Sequence, residues 1–405
     1  AEGASLIAES LNTARDTLSE LAREYGLNVD PDSLIENISV GMQQRVEILK
    51  ALYRKAKILI LDEPTGVLTP AEAEDLFKIL KNLKNEGKTI VLITHKLKEI
   101  MSVTDTVSVM RQGEMTATLQ TSKTNPEQLA ELMVGRKVLL QIEKKEPNIG
   151  QSALSCKKLN YTDEKGVHRL KDISFNVRQG EILEIAGVAG NGQSELLEVL
   201  AGIKKAEGEI CVESKTVPLD SKDSSPMSRK SLGISHVPED RQKLGLVMDF
   251  YAWENMGLGY HYKNRYRSKR FFMNNNKLKS ETSERMSKFD IRPNNASLPA
   301  KNFSGGNQQK IVLAREIEQN PNLLIVGQPT RGVDIGAIEF IHRRIIQLRD
   351  MGKAVILISV ELDEILSLSD RILVMFDGKI MGEKIAEKTN ERELGLLMAG
   401  IGSTE

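Results

Sequence analysis

One segment of this chain occurs twice. Residues 38–135 align without a gap with residues 303–400, at a constant offset of 265 positions. The first copy contains ISVGMQQR, ILILDEP and ITHK, and the second contains FSGGNQQK, LLIVGQP and ISVE in the same register. A register that holds over so long a span is typical of a duplicated domain. The repeat therefore predicts two units of the same fold.

The two copies differ at positions that carry chemistry. The first has ionisable side chains where the second has neutral ones: Asp62 against Gly327, Glu63 against Gln328, and His95 against Val360. Carboxylates and an imidazole can hold a cation, activate a water molecule or contact a phosphate group. The asymmetry predicts that the first copy kept a chemical function that the second has lost.

The composition excludes several classes of protein. A chain of 405 residues is long enough for roughly two to three domains, each with a full core. The formal net charge is zero, which argues against nucleic-acid binding because such proteins usually carry a basic excess. No apolar run approaches the roughly 20 residues that a bilayer-spanning helix needs. The two cysteines and five scattered histidines predict neither a disulfide framework nor a metal cluster.

Strand-length apolar runs alternate with amphipathic helical segments along both copies. In the first copy this pattern predicts strands at 58–61 and 89–93, with a helix at 71–86 between them. Such alternation predicts an α/β fold with a mainly parallel sheet core. Residues 222–300 depart from the alternation, and we expect them to form an inserted helical region.

The repeat and the local composition together predict the domain boundaries. Residues 1–137 form the first domain, the polar stretch 138–150 is a linker, and residues 151–402 form the second domain. Residue 1 aligns with residue 266 of the second copy. We therefore expect the first domain to lack its front half and the chain to be a fragment of a longer protein.

A glycine-rich loop, GVAGNGQS, lies between a predicted strand and a predicted helix of the second domain. In that setting glycines let backbone amides surround phosphate groups, and the helix N-terminus adds a favourable dipole. A plain tight turn is the alternative. The pattern requires Lys where Gln193 stands, so we expect weakened contact with the β- and γ-phosphates. The candidate binding residues are Gly187, Gly190, Asn191, Gly192, Gln193 and Ser194.

Two acidic residues end an apolar strand in the first copy, at the sheet edge where α/β folds place ligands. Asp62 can hold Mg²⁺ through water, and Glu63 can polarise a water molecule aimed at a γ-phosphate. His95 follows the next strand and can contact the same phosphate. An acidic pair or a single histidine at such positions is also often structural.

A second candidate anion site lies in the second copy, where SGGNQ precedes a helix. A hydroxyl and backbone amides at a helix N-terminus can bind an anion. The candidate residues are Ser304, Gly305, Gly306 and Gln308.

These residues resemble known motifs. SGGNQ, DEP and the later histidine are similar to the signature, Walker B and switch-histidine motifs of ABC-type ATPases. SVGMQQRVEILKALYR, GVAGNGQSE, PEDRQKLGL and QPTRGVDIGA resemble the fused ATPase subunit of bacterial simple-sugar and nucleoside importers. Gly-Gln at 327–328 resembles the nucleoside branch, since the ribose and galactose branch usually keeps Asp-Glu. The resemblance implies P-loop NTPase (ABC ATPase) domains in tandem, with a parallel sheet core, a β-subdomain and a helical subdomain.

The resemblance also implies how the motifs combine. In this family the two domains pair head to tail, and each nucleotide lies between one domain's phosphate loop and the other's signature. The members of one site match the family pattern: Asp62, Glu63, His95, Ser304, Gly305, Gly306 and Asp334. Nearly all members of the other site depart from it: Gln193, Gly327, Gln328, Val360, Ser39, Val40, Gly41 and Thr69. The resemblance thus implies one catalytic ATP site and one degenerate site.

The implied activity is ATP hydrolysis, dependent on Mg²⁺, that drives solute import. The implied partners are two membrane permease subunits and, through them, an extracytoplasmic solute-binding protein. The chain would lie peripherally on the cytoplasmic face of the bacterial membrane. The resemblance implies no nucleic-acid partner. A nucleoside is the expected solute, and a monosaccharide such as ribose or galactose is the alternative solute. A remote alternative function is that of a soluble tandem ABC protein that acts on ribosomes or DNA. Without the first phosphate loop, we expect negligible ATP hydrolysis from these 405 residues alone.

Three local features remain, and the first two have two interpretations each. The cations and aromatics of residues 261–272 fit either RNA binding or a solvated surface near the permease or lipid headgroups. Trp253 fits either a contact with the membrane partner or ordinary burial. Tyr161 can stack on adenine, although its loop to the next strand looks long.

Overall fold

The computed structural model describes residues 2–402 apart from 28, 36–37, 39, 66–67, 69, 112, 138–143, 189, 220–223 and 269–271. The chain divides into two compact units, Ala1–Val138 and Leu139–Glu405. Within the described part, no helix combines the length and apolar content that crossing a bilayer requires.

The first unit joins helices to two pairs of strands. Its elements are α1 (Glu2–Glu24), α2 (Val40–Tyr53), β1 (Ile58–Asp62), α3 (Pro70–Asn85), β2 (Thr89–Ile93), α4 (Leu97–Val103), β3 (Thr106–Arg111), β4 (Glu114–Gln120) and α5 (Pro126–Val134). Strands β1 and β2 pair in parallel, whereas β3 and β4 form an antiparallel hairpin. The predicted strands and the predicted helix between them are therefore present within one residue of the expected bounds.

Helix α3 shows why this sequence folds as it does. Its apolar residues Leu76, Ile79, Leu80 and Leu83 recur at helical spacing, and all four are buried in one cluster with Leu59 of β1. A stripe of that kind holds a crossover helix against the sheet between two parallel strands. The packing of α3 thereby fixes the positions at which β1 and β2 end.

The second unit contains a larger sheet system. Its first elements are β5 (Ser152–Thr162), β6 (His168–Arg178), β7 (Ile182–Ala186), α6 (Gln193–Leu200), β8 (Glu207–Val212), β9 (Lys215–Val217), α7 (Pro226–Ser231), β10 (Ile234–Val237), α8 (Ala252–Gly257), β11 (Arg267–Ser268), β12 (Phe272–Met273) and α9 (Asn275–Lys288). The remainder are α10 (Gly305–Ile317), β13 (Leu323–Gly327), α11 (Ile335–Asp350), β14 (Ala354–Ile358), α12 (Leu362–Leu368), β15 (Arg371–Phe376), β16 (Lys379–Ile385) and α13 (Glu391–Met398).

The main sheet of this unit has six strands in the order β10-β13-β14-β7-β15-β16, parallel except for the β15–β16 pair. A separate antiparallel sheet has the order β6-β5-β8-β9. The helices α8 and α9 lie in a region between β10 and α10. The predicted fold class is confirmed in this unit, with its parallel core, its β-subdomain and its helical subdomain.

One expectation about this unit was wrong. Residues 222–300 were expected to be an inserted helical region, but Ile234–Val237 form β10 at the edge of the main sheet, in parallel with β13. The run ISHV is only four residues long and contains two polar residues. Such a run is indistinguishable from loop by periodicity alone, and it becomes a strand because β13 supplies its hydrogen bonds.

Strands of the main sheet are covered on both faces. Every residue of β7, β13 and β14 is buried, which explains their continuous apolar sequences. Ile182 of β7 belongs to a core with the helical subdomain, whereas Leu183 belongs to a core with the antiparallel sheet. The central strands are thus enclosed by the protein core, and the carboxyl ends of the parallel strands lie at one edge of the sheet.

The segment before β5 packs on the second unit. Lys144 Nζ lies 3.3 Å from Asp370 Oδ1, and the Arg349 guanidinium donates to the Lys145 carbonyl at 2.7 Å. The described half of the predicted 138–150 linker is therefore held by ion pairs and hydrogen bonds.

Trp253 lies in the helical subdomain. Its side chain is 7% exposed and belongs to the same core as Tyr260 and Phe289. Of the two interpretations of this residue, the structure therefore shows burial. As the single tryptophan of the chain, it reports on the folding of the second unit.

His236 of β10 is half-buried and carries the first testable prediction. Its Nε2 has no hydrogen-bond partner. Burial lowers its pKa to about 4, opposed by Glu316 and reinforced by Lys230 and Arg315. Because the ordinary pKa is 6.5, the unfolded chain binds a proton between these values that the folded chain does not. The free energy of unfolding should therefore fall as pH drops from 6.5 towards 4, by roughly 3 kcal/mol from this group.

Urea denaturation at pH 7 and pH 4.5, followed by Trp253 fluorescence, tests this expectation. The loss of stability on acidification should be smaller in His236→Gln than in the wild type. The exposed His261 provides a matched control, and His261→Gln should show the wild-type loss. Equal losses in all three proteins would contradict the prediction.

Candidate functional site

The carboxyl ends of β1 and β2 form the candidate site of the first unit. Asp62 is the last residue of β1 and is exposed. Glu63 follows with a left-handed φ of +42°, and its amide donates to the Ile93 carbonyl at 2.8 Å. His95 Nδ1 lies 2.9 Å from Glu63 Oε1. The structure thus brings the three predicted residues of this unit to one sheet edge.

A buried carboxylate fixes the two loops that carry these residues. Glu99 of α4 accepts a hydrogen bond from Thr94 Oγ1 at 3.0 Å and another from Thr65 Oγ1. Thr65 lies in the loop after β1 and Thr94 in the loop after β2. Because one side chain joins both loops, Glu63 and His95 are held close together.

At the corresponding sheet edge of the second unit, the backbone conformation is the same as in the first unit but the side chains differ. Gln328 has a left-handed φ of +46°, and its amide donates to the Ile358 carbonyl at 2.7 Å. Gly327 ends β13 where Asp62 ends β1. Neither an acidic nor an imidazole group stands at the three positions equivalent to the catalytic candidates.

The glycine-rich loop connects β7 to α6 as predicted. Gly190 and Gly192 have left-handed φ values of +93° and +103°. A Cβ on Gly192 would lie 2.5 Å from the Arg169 carbonyl oxygen, so a larger residue cannot fit there. Asn191 accepts hydrogen bonds from the amides of Asp377 and Gly378, at 3.1 and 3.0 Å. The loop is therefore anchored to the β15–β16 turn.

Gln193 folds back into this loop. Its side chain is 5% exposed, and its Nε2 donates to the Val188 carbonyl at 3.3 Å. A Cβ on Gly187 would lie only 1.8 Å from that Nε2. A neutral amide thus occupies the interior of the loop at the position where the pattern requires a lysine.

Ser194 has a partner that sequence reasoning missed. Its Oγ donates to Glu239 Oε2 at 2.6 Å. Burial raises the pKa of Glu239, and the hydrogen bond from Ser194 opposes that effect. The sequence contains a signal for this contact, because Glu239 stands two residues after the ISHV run. It was missed because residues 222–300 were expected to form a helical region.

Glu239 also lies against the end of β13. A Cβ on Gly327 would be 2.5 Å from Glu239 Cγ and 2.6 Å from Leu197 Cδ1. No side chain can stand at residue 327 while Glu239 keeps this position. A side chain at residue 327 would therefore require the side chains of Glu239 and Leu197 to move.

The predicted signature residues lie together in the second unit. Ser304 caps α10 and accepts a hydrogen bond from Asn307 Nδ2 at 2.9 Å. Asp334 caps α11 by accepting from the Ala337 amide at 2.9 Å. A Cβ on Gly306 would lie 3.0 Å from Asp334 Oδ2. The N-termini of α10 and α11 thus lie side by side and form one surface.

Arginine from the PEDR segment supports this surface. Arg241 donates to the carbonyls of Arg331 and Gly332 at 2.6 and 3.2 Å. A Cβ on Gly305 would lie 2.5 Å from Arg241 Nη2 and 2.8 Å from the Gly332 carbonyl oxygen, so a side chain here would displace both the guanidinium and the Gly332 backbone. Arg241 was not among the residues selected from the sequence.

Gln308 faces the interior, although it was predicted at the anion site. It is 3% exposed, and its Nε2 donates to the carbonyls of Ala300 and Phe303. Its Oε1 accepts from Gln242 Nε2 at 3.1 Å. In this structure it positions the loop ahead of α10.

The predicted residues of the first unit's own signature are only partly described. Gly41 is the second residue of α2. Ser39 and Thr69 lie outside the described residues. Residues 269–271 of the basic and aromatic segment also lie outside them.

Tyr161 lies in β5 opposite Leu170 of β6. Leu170 Cδ2 would be 3.3 Å from a Cβ on Gly192, so Tyr161 is a cross-strand neighbour of a residue that packs against the glycine-rich loop. Lys204 Nζ lies 5.1 Å from the centre of the Tyr161 ring.

The residues present fit a nucleotide and Mg²⁺. Among the described residues, no three or more His, Cys, Asp or Glu side chains are grouped to hold a metal ion. Mg²⁺ is usually held by one or two carboxylates together with phosphate oxygens and waters. Ser194 and Glu239 offer oxygen donors beside the glycine-rich loop, and Asp62 offers a carboxylate in the first unit.

Comparison with known proteins gave consistent results. The sequence profile of the ABC transporter family matches residues 4–66 and 170–331. The nucleoside import ATP-binding protein NupA of Lactococcus lactis is 49% identical over 96% of this chain and 76% of the relative. The guanosine import ATP-binding protein NupO of Bacillus subtilis is 46% identical over 97% and 76%. The ribose import ATP-binding protein RbsA of Clostridium tetani is 36% identical over 94% and 73%.

A solved structure supports the fold. The dimeric ATP-binding cassette MJ0796 bound to ADP and Pi has a TM-score of 0.50 and 23% identity. The match covers 57% of this chain and 98% of that cassette. This likeness concerns the fold alone.

Replacing Gln193 with Lys should tighten binding of a nucleoside triphosphate. The substitution puts a cation where a neutral amide now lies, and a charge-assisted hydrogen bond contributes about 1.5–3 kcal/mol. We expect an affinity gain of about tenfold or more, measured by isothermal titration calorimetry with ATP. Gln193→Met, which removes the amide without adding charge, should show no gain. A Lys variant that binds no more tightly than the wild type would refute the role assigned to residue 193.

Proposed function

Because this chain belongs to the ABC transporter family, we propose that it is the ATPase subunit that energises uptake of a nucleoside. The observation that carries the proposal is the pair formed by Glu63 and His95 at the carboxyl ends of two parallel strands, with 2.9 Å between Oε1 and Nδ1. A carboxylate held against an imidazole at a phosphate-binding edge can direct a water molecule towards a γ-phosphate.

Each residue of the site has a proposed role. Glu63 orients and polarises the attacking water, and His95 contacts the γ-phosphate. Asp62 serves Mg²⁺, which neutralises charge on the phosphates when bound. Residues 304–306 and Asp334, where two helix N-termini lie together, close the site from the second unit through head-to-tail pairing.

The solute is proposed to be a nucleoside. The relatives with 49% and 46% identity are named as nucleoside and guanosine importers, whereas the ribose importer is 36% identical. Gly327 and Gln328 also favour the nucleoside branch of the family. A monosaccharide such as ribose is the second candidate, since the ribose importer matches over most of the chain.

The proposed setting is the cytoplasmic face of a bacterial membrane. Two permease subunits would bind the ATPase there, and an extracytoplasmic protein would deliver the solute to them. Binding of ATP would bring the two ATPase units together, and hydrolysis would release them. The ATPase would thereby move the permease between its two orientations.

Glu63→Gln in the full-length protein should lower ATP turnover by at least about 100-fold, since general-base assistance contributes 10²–10⁴-fold. The measurement is phosphate release by the ATPase assembled with its permease. Gln328→Glu at the equivalent position of the second unit is the matched control. It should not raise turnover, because Gly327 and Val360 still stand where the first unit has Asp62 and His95. Unchanged turnover in Glu63→Gln would exclude this assignment.

Uptake into proteoliposomes tests the solute. Vesicles that contain the full-length ATPase, its permease and its binding protein should accumulate guanosine in the presence of ATP. Accumulation should be at least about tenfold lower with ribose, which lacks the base that a nucleoside site recognises. Preference for ribose would favour the monosaccharide alternative. Co-purification of the ATPase with RNA instead of permease would favour the ribosome-associated alternative.

A further inference from the structure

We propose that Glu184 of β7 and Glu364 of α12 share one proton inside the second unit, and that this shared proton fastens the loop after β14 to the main sheet. The loop carries Val360, which stands where the first unit has His95. The inference goes beyond the proposed function, since it concerns two side chains to which neither nucleotide binding nor hydrolysis has been assigned. It makes the stability of this edge of the second unit dependent on pH.

Glu184 lies in an otherwise apolar strand between β14 and β15. Its neighbours on those strands are Leu357 and Ile372, and its side chain is fully buried. One of its oxygens, Oε1, accepts a hydrogen bond from the Ser359 amide at 2.7 Å. The other oxygen, Oε2, is buried without a hydrogen-bond partner among the described residues. An ionised carboxylate in this place would therefore carry an uncompensated charge in the core.

Glu364 presents a second carboxyl group with one unpartnered oxygen. Its side chain is 3% exposed, and its Oε1 lies 2.8 Å from Nε2 of His342 on α11. Its Oε2 is also buried without a hydrogen-bond partner in the described part of the chain. Glu99 is the equivalent residue of the first unit, where the carboxylate accepts from both Thr94 and Thr65. In the second unit one oxygen of this carboxyl group therefore remains for another donor.

The two carboxyl groups act on each other through the core. Burial raises the pKa of Glu184 well above its ordinary value of 4.5, the negative charge of Glu364 raises it further, and the hydrogen bond from Ser359 opposes both effects. Two carboxylates that share a site cannot both ionise without a large cost, and one proton between them removes that cost. A protonated Glu184 Oε2 can donate to Glu364 Oε2. A single proton thereby accounts for both unpartnered oxygens.

The charged groups of the surrounding elements are committed elsewhere. β14 has no ionisable residue, and Arg371 of β15 bonds to Glu181 at 2.8 Å. His342 of α11 bonds to Glu364, and Glu364 is the described charged group that acts on Glu184. The other ionisable residues of α11 and α12 are bonded elsewhere or exposed: Glu339, Arg343, Arg344, Arg349, Asp350 and Asp363. A proton is therefore the positive charge that this pair can take up.

The shared proton gives the unfolding equilibrium a definite pH dependence. The unfolded chain loses the Glu184 proton near pH 4.5, whereas the folded chain keeps it to higher pH. This contribution to stability is therefore complete below pH 4.5 and is lost as pH rises towards the folded pKa of Glu184. Between these values the unfolding constant should rise by up to about tenfold per pH unit. Glu184→Gln keeps the shape and supplies an amide donor, so this rise should be absent from the variant.

Urea denaturation of the 405-residue chain at pH 5.5 and pH 7.5, followed by Trp253 fluorescence, measures the effect. The unfolding constant of the wild type divided by that of Glu184→Gln should be at least about tenfold larger at pH 7.5. Glu181→Gln is the matched control. Burial raises the pKa of Glu181, but hydrogen bonds from Arg371 and Arg178 bring it below the ordinary value. Glu181 is thus ionised in both states over this range, and its variant should show the wild-type pH dependence.

Two further measurements locate the proton and its effect on the loop. The infrared difference spectrum between the wild type and Glu184→Gln at pH 6 should contain the carbonyl band of a protonated carboxyl group. Glu364→Gln should shift the frequency of this band, because the acceptor of the hydrogen bond changes. Hydrogen exchange of the Ser359 amide should be at least about tenfold faster in Glu184→Ala than in Glu184→Gln, since glutamine retains the acceptor.

Any one of four results would overturn the inference. The first is a parallel pH dependence of unfolding in the wild type and Glu184→Gln, and the second is the absence of a protonated carboxyl band from their difference spectrum. The third is an unshifted band in Glu364→Gln, and the fourth is equal Ser359 exchange in the alanine and glutamine variants. All four leave the catalytic assignment untouched, because Glu63→Gln turnover tests that assignment separately.

Discussion

Parallel pairing of the sheet strands is the constraint on which both candidate sites depend. β1 pairs with β2 from Ile58–Thr89 to Asp62–Ile93, and β13 pairs with β14 in the equivalent register. Parallel strands end at the same edge, so residues far apart in sequence meet there. Glu63 and His95, 32 positions apart, reach hydrogen-bond distance for this reason. Glu99, which bonds to Thr65 and Thr94, joins the two loops that carry them.

Comparison of the two copies also distinguishes the backbone features that the fold requires from the side chains that the chemistry requires. A left-handed backbone at a residue other than glycine costs about 1 kcal/mol or more, yet both Glu63 and Gln328 keep it. In both units the amide of that residue bonds to the carbonyl that ends the adjacent strand. The backbone conformation at this position is therefore part of the sheet geometry and is the same with either side chain.

Some features could be predicted from the sequence and others could not. The strands, their parallel arrangement and the glycine-rich turn carry local signals, namely apolar periodicity and residues such as Gly190 that tolerate positive φ. β10 carries no such signal, because ISHV is short and half polar, and Glu239 was missed with it. The direction of Gln308 was also beyond prediction, since a glutamine amide can bond equally well to the interior or to a ligand, and only packing decides.

The relation between Gly327 and Glu239 changes how the second unit should be interpreted. The side chain of Glu239 lies beside Gly327, and its carboxylate bonds to Ser194. Glutamine at 328 and valine at 360 remove groups that act on water, but neither change removes oxygen donors from the phosphate loop.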